Sequence, residues 1–401
     1  MTPPALPRTE RLYHHDPYLL DFEATVTDRR QHEGRLAVTL DRTAFYPESG
    51  GQPFDTGTLS GAPVLAVIEQ GPEVLHVLGA PLEAQRVRGH VDGERRRDHR
   101  QQHHGQHLLS RAFADLFSAR TVSFHLGAEA SSIDLDREVS GEQVRAAEVR
   151  TNAVVWEARP VEVKVVTRAE ARALGVEPPP EAGEAIRLVE AQGFDLQPCG
   201  GTHPRSTAEV GVVLVLDWER YKGGSRVRFV CGHRALVAFR ERTVVLDRLG
   251  ALLCAPLPDL PEAASRALAA LAESTRQYRT VLDRALEGEA RRLLAGAAPP
   301  ALVVSVYDDW PPADLRTLAT RLVALSPCVA LLGSRGDKAH LVFAQSPGLP
   351  HDIPALLKAA VETLGGRGGG RGDLAQGGGE RPALLDEALA KAAAAVRAKA
   401  G

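Results

Sequence analysis

The strongest demand on how this chain can fold comes from Arg97 to Leu109, which reads R-D-H-R-Q-Q-H-H-G-Q-H-L-L. His103 and His107 are four apart. The apolar residues around and beyond them, Leu108, Leu109, Ala112, Phe113, Leu116 and Phe117, are spaced by one, three and four. That spacing predicts a helix with one buried face. Residues four apart on a helix share a side, so both imidazoles can aim at one point. Far downstream, Cys199 and His203 form a second pair within P-C-G-G-T-H. Three imidazoles and a thiolate make a good tetrahedral zinc set. Shared by one ion, the two pairs oblige the fold to bring the 199–203 loop back to the helix. Neither pair decides the matter alone: two histidines at helical spacing arise often by chance, and His104 offers a competing frame.

At 401 residues the chain exceeds one ordinary domain and predicts two to four. The composition is globular, 44% hydrophobic and 25% charged. No apolar run reaches about 18 residues, which argues against a membrane span. The opening M-T-P-P-A-L-P-R-T-E lacks the basic and apolar regions of a signal peptide. Cys199, Cys231, Cys254 and Cys328 are too sparse for a disulfide framework and suit a reducing cytoplasm. The net charge of -3 selects no partner. Locally, Arg220, Lys222, Arg226, Arg228 and Arg234 outnumber Asp217 and Glu219. They read either as a solvated strand pair or as a phosphate-facing edge.

The expected class is α+β. Residues 1–94 read as a β-rich, barrel-like domain, with alternation in Phe22–Thr27 and Gly34–Leu40. Its loop T-A-F-Y-P-E-S-G-G-Q-P-F-D, from Thr43 to Asp55, cannot be helical: Pro47, Gly50, Gly51 and Pro53 demand special backbone angles. Such a loop suits either a barrel corner or a bare backbone at Gly50 and Gly51 that approaches a ligand. Residues 95–250 mix helices with strands, as a two-layer domain does. Residues 256–298 read as a helical arm, a plain hairpin linker. Residues 299–401 read as a small α/β domain whose Gly365–Gly379 run is a loop, floppy or phosphate-meeting, before a last helix from Arg381 to Ala400.

Three motifs in this order, Phe45-Tyr-Pro-Glu-Ser-Gly-Gly-Gln-Pro53, the His103/His107 helix and Cys199-Gly-Gly-Thr-His203, resemble the alanyl-tRNA editing family, the free-standing AlaX proteins. These in turn resemble the editing half of alanyl-tRNA synthetase. The A-Q-G-G-G ending at Gly379 resembles the DHH-associated C-terminal domain of those synthetases and marks the long form. Ser49 stands where such a loop carries glycine. The resemblance covers nearly the whole chain.

The resemblance implies a trans-editing hydrolase that cleaves the ester of mischarged alanine tRNA, Ser-tRNA(Ala) and Gly-tRNA(Ala). It implies one zinc per chain on His103, His107, Cys199 and His203. Thr43 is the expected selector of the serine hydroxyl, with an ordinary turn residue as the plain alternative. Gln52 and Gln106 are candidates for orienting water or the ribose, and Gly50, Gly51, Arg367 and Arg371 for contacting substrate. The expected partners are tRNA and, through the C-terminal region, a second copy of the chain; no membrane is expected. The β-rich domain begins near Met1 and no G-x-x-x-x-G-K loop is present, so hydrolysis without aminoacylation is expected. The rival readings are a nonenzymatic tRNA-binding factor and a metal-independent deacylase.

Overall fold

The computed structural model describes residues 9–180 and 183–399. Residues 1–8, which carry most of the N-terminal reading, and Ala400 lie outside the described residues. The chain is α+β and divides into two compact units, Met1–Arg248 and Leu249–Gly401. Among the described residues no helix is long and apolar enough to cross a membrane.

The first unit opens with β1 (Glu10–Arg11) and β2 (Asp21–His32), followed by β3 (Arg35–Leu40), β4 (Arg42–Thr43), β5 (Gly57–Leu59), β6 (Ala62–Gln70), β7 (Glu73–Leu78) and β8 (Arg86–Val91). Six of them close into an antiparallel barrel in the order β2-β3-β7-β6-β5-β8. Alternation along β2 turns Phe22, Ala24 and Val26 inward, where they meet Val38, Phe45, Leu59 and Val67. Glu33 and Gly34, both at positive φ, connect β2 to β3; paired left-handed residues match the twist of a tight hairpin.

Helix α1 (Gly93–Phe117) leaves the barrel at once, capped by Asp92, whose carboxylate accepts from Glu94 N and Arg95 N. Next come β9 (Thr121–Leu126), β10 (Ser131–Leu135), α2 (Gly141–Trp156), β11 (Val161–Thr167), α3 (Arg168–Ala173), β12 (Ala185–Ala191), β13 (Asp195–Pro198), β14 (Val213–Tyr221) and β15 (Gly224–Cys231). Helices α1 and α2 lie on a sheet of order β14-β15-β10-β9, and Leu109, Phe113, Ala147, Val154, Ile133 and Phe229 form the core between the layers. Strands β11-β12-β13 make a separate small sheet. Ser140 and Gln143 close the capping box that the sequence predicts for α2. The basic stretch around β15 is largely spent on internal ion pairs: Arg226 with Asp134, Arg228 with Asp217, and Arg234 with Asp98. That favours the solvated-strand reading over the phosphate edge. Helix α4 (His233–Leu253), absent from the sequence reading, follows; Ala235 is its one buried residue.

The second unit corrects two expectations. The arm over Pro261–Leu294 is a single helix, α5 (Leu260–Leu294), rather than a hairpin within that span. Pro261 falls in its first turn, where a missing N–H costs nothing. The Gly365–Gly379 run is not a loop. It is the hairpin β19 (Gly366–Arg371) and β20 (Leu374–Gly379), at one edge of the sheet β16-β17-β18-β20-β19. The other strands are β16 (Ala301–Asp308), β17 (Cys328–Arg335) and β18 (Ala339–Gln345). Helix α6 (Pro312–Leu325) and the end of α5 cover one face; α7 (Ile353–Thr363) and α8 (Leu385–Ala398) cover the other. The glycines let α7 sit close: a Cβ on Gly377 would lie 2.8 Å from Val361 Cγ1, and one on Gly368 3.0 Å from Leu357 Cδ2. Period-two patterning cannot announce a strand whose side chains are hydrogen atoms.

His76 on β7 is fully buried, with Nε2 2.8 Å from Thr43 Oγ1 and Nδ1 3.3 Å from Val38 O. Burial pushes it from 6.5 down to about 4, against a small opposing pull from Val38 O. Below pH 6.5 the unfolded chain takes up a proton that the folded chain refuses. Stability should therefore fall as pH drops from 6.5 to about 4, by up to about 3 kcal/mol from this residue. Urea unfolding across that window should show a smaller loss for His76→Gln than for the wild type. Identical slopes would remove His76 as the source.

Candidate metal centre

Two elements meet at the site. Helix α1 is held at a fixed height over the sheet. Gln102 Oε1 accepts from Cys231 N at 2.8 Å, and its Nε2 donates to Cys231 O at 3.0 Å. Gly105 faces the Cys231 sulfur so closely that a Cβ would lie 2.2 Å from it. The second element is the 199–203 loop, which follows β13. Cys199 N donates to Arg187 O, and Arg187 Nη1 donates to Cys199 O at 2.6 Å, so the loop starts from a fixed point on β12.

The structure brings His103, His107, Cys199 and His203 together, with one ligand atom from each within 4.8 Å of all the others. The histidines are 1 to 4% exposed. Cys199 Sγ lies 3.3 Å from His103 Nε2 and 3.2 Å from His203 Nε2. His104, the competing frame, lies outside this set, with its Nδ1 3.1 Å from His203 Nδ1. Gly201 makes the fit possible: a Cβ there would lie 2.2 Å from His103 Cε1.

The electrostatics suit a metal. Burial alone would raise the Cys199 thiol, but the charges of His103 and His203 and hydrogen bonds from His103 and His107 outweigh it, holding the group well below the thiol range. His107 is disfavoured as a cation by burial, yet Asp195 and Cys199 pull it up to about 10. Burial presses His203 down to about 3 and His104 well below the usual range. A partly buried thiolate among buried imidazoles, with the Nε2 atoms of His103 and His203 facing the sulfur, is a donor set that could hold a tetrahedral zinc or similar soft-to-borderline cation.

A cavity of about 610 Å³ opens over the cluster, lined among others by Tyr46, Gly50, Gln106, Phe124 and Gly201. Gly50 and Gly51, at φ 53° and 77°, are the two central residues of a tight turn in which Ser49 and Gln52 exchange both backbone hydrogen bonds. Ser49 holds an outer position that needs no left-handed backbone, so a non-glycine residue is tolerated there. A Cβ on Gly51 would lie 2.6 Å from the Phe124 ring.

The other expected residues divide. Gln52 is fully buried, with Oε1 2.8 Å from His103 Nδ1 and Nε2 donating to Thr202 Oγ1 at 2.9 Å. It braces a ring and does not face the cavity. Gln106 is buried rather than solvated; its Nε2 donates to Ser110 Oγ at 2.9 Å, and its Oε1 has no partner. Thr43 is not among the lining residues. Its hydroxyl is engaged with His76 and accepts from Phe45 N at 3.1 Å, contacts that belong to the turn-residue alternative. Arg367 and Arg371 belong to the second unit, on β19. Sequence reasoning missed Asp195 and Thr202, because a lone carboxylate and a lone hydroxyl carry no spacing signal. Gly105 did carry one: a glycine in mid-helix implies close packing.

Residues 186–228 match the family described as the threonyl and alanyl tRNA synthetase second additional domain, and residues 299–398 match the DHHA1 domain. The chain is similar to the alanyl-tRNA editing protein AlaX-L of Pyrococcus horikoshii, 31% identical over 92% of this chain and 94% of that protein. It is similar to the alanine–tRNA ligase of Methanoregula boonei, 32% identical over 96% of this chain but only 43% of the ligase. The solved C-Ala domain of Aquifex aeolicus alanyl-tRNA synthetase is 33% identical over 23% of this chain and 86% of that one, with a TM-score of 0.22, too low to bear on the fold. With a relative matched over nearly the whole of both chains, the chain belongs to the alanyl-tRNA editing family.

Proposed function

We propose that this protein hydrolyses the ester bond of mischarged alanine tRNA, releasing serine or glycine, at a zinc held by His103, His107, Cys199 and His203. The observation that carries the reading is the convergence of these four residues beneath a cavity, in a chain of the editing family. Zinc at this site would supply an activated water and polarise the ester carbonyl. The chain's own residues do the rest. The turn at Gly50 and Gly51 brings bare backbone to the cavity, where the 3′ end of the tRNA would lie. Gln106 lines the cavity and is proposed to help orient the substrate there. A site that hydrogen-bonds a substrate hydroxyl discriminates strongly against a substrate lacking it, which would spare Ala-tRNA.

Three tests follow from these placements. Purified protein should carry about one zinc per chain. Cys199→Ala should lose both the zinc and the release of serine from Ser-tRNA(Ala), and a variant that keeps full activity would replace the zinc reading with a metal-independent one. Thr43→Val leaves the His76 nitrogen without its partner, so serine and glycine release should slow alike. Slowing confined to serine would return Thr43 to a direct role. In the second unit, Arg367 and Arg371 are exposed on the edge strand β19 and are proposed to contact tRNA phosphates. Changing both to alanine should weaken tRNA binding and reduce the slope of log affinity against log salt by about 2, with the rate at saturating substrate unchanged. An unchanged slope would leave this surface to a second copy of the chain.

A further inference from the structure

Each of the three histidines of the cluster has its Nδ1, the nitrogen turned away from the cluster, held by a different kind of group. His107 Nδ1 lies 3.2 Å from Asp195 Oδ2, with both side chains almost wholly buried. A carboxylate only accepts, so His107 donates from Nδ1, and Nε2 is the nitrogen that would give up its proton to a metal. His103 Nδ1 lies 2.8 Å from Gln52 Oε1. Gln52 Nε2 donates to Thr202 Oγ1, and Oε1 also accepts from Thr202 N at 3.1 Å; turning the amide over would lose the latter bond and set two N–H donors against each other. His103 is therefore a donor from Nδ1 as well. His203 Nδ1 lies 3.1 Å from His104 Nδ1, and His203 Nε2 faces the Cys199 sulfur. For Nε2 to serve as a ligand, Nδ1 must carry the proton and His104 Nδ1 must accept it. That places the His104 proton on Nε2, which is buried with no partner.

We propose that Asp195, Gln52 and His104 are positioning residues that each fix which ring nitrogen one histidine presents to the metal, and that they do so with graded strength. The inference rests on the zinc reading above. Asp195 provides a charge-assisted bond, the strongest of the three, and makes His107 the most electron-rich ligand. Gln52 provides a neutral but doubly anchored acceptor. His104 provides a neutral ring whose far nitrogen is itself unsupported, which makes His203 the most weakly held ligand. Groups of this kind outside the ligand shell change metal affinity by roughly 10- to 100-fold when removed.

The test is zinc affinity of the full-length protein, measured by competition with a chromophoric chelator at fixed pH, with serine release from Ser-tRNA(Ala) recorded on the same samples. Asp195→Ala should weaken zinc binding most, by roughly 10- to 100-fold. Gln52→Ala should weaken it less, and His104→Ala least. Asp195→Asn, which keeps an acceptor and loses the charge, should fall between Asp195→Ala and the wild type; this rescue separates positioning from simple loss of fold. Gln52→Glu should bind at least as tightly as the wild type. Wild-type affinity in a folded Asp195→Ala variant overturns the inference, and equal weakening by all three alanine variants overturns the grading. Wild-type protein that binds no zinc overturns the inference together with the metal reading. Wild-type protein that binds zinc while the variants match it overturns this inference alone.

Discussion

The buried ion pair between Arg96 and Asp55 is the joint on which the first unit turns. Both side chains are fully buried. Arg96 Nε donates to Asp55 Oδ2 at 3.0 Å, and the guanidinium also reaches Pro17 O and Ala44 O. Asp55 in turn accepts from Tyr46 N at 2.7 Å. One charge pair thus ties the N-terminal segment, both ends of the glycine loop and the first turn of α1 into a single knot. Desolvating two charges is expensive, and the attraction between them repays it only because nearly every donor and acceptor is used. Removing either partner would strand the other, at a cost of about 3–5 kcal/mol. Arg96 sits seven residues ahead of His103 on the same helix, so the barrel and the cluster share one reference frame.

That frame explains why residues from the barrel loop reach the cluster at all. Gln52 lies on the loop that Asp55 anchors, and it bridges His103 on α1 to Thr202 on the returning loop. The site is assembled from three segments far apart in the chain, each braced by backbone or buried polar contacts. The buried His104 Nε2, left without a partner, costs about 1–3 kcal/mol that an apolar side chain would not. A sequence tuned for stability alone would not keep it.

The cluster of histidines and cysteine was legible because its members stand at helical spacing and in a short loop of fixed form. The barrel was legible because its strands alternate. What could not be read was what depends on contact rather than on period. Asp195 looks like any loop carboxylate until His107 is placed beside it. Arg96 looks like one more charge in a basic run, yet it is among the most deeply buried side chains. Thr43 drew attention through the loop it begins, whereas its hydroxyl turns toward His76. The β19–β20 hairpin was read as a loop because glycine erases the pattern on which strand recognition rests, and the packing of α7 that requires glycine is invisible in one dimension.

The contact between Gly105 and Cys231 acts as a mechanical stop. A helix lying on a sheet can ordinarily settle nearer or farther by the width of a methyl group as side chains change. Here the backbone of α1 rests almost directly on a sulfur atom, two residues from each of His103 and His107. The clearance is set by one atom of one residue rather than averaged over many soft side chains. Drift elsewhere in the core can then be absorbed without moving the two imidazoles, and the protein can exchange much of its hydrophobic interior over evolutionary time while the reacting geometry keeps its datum.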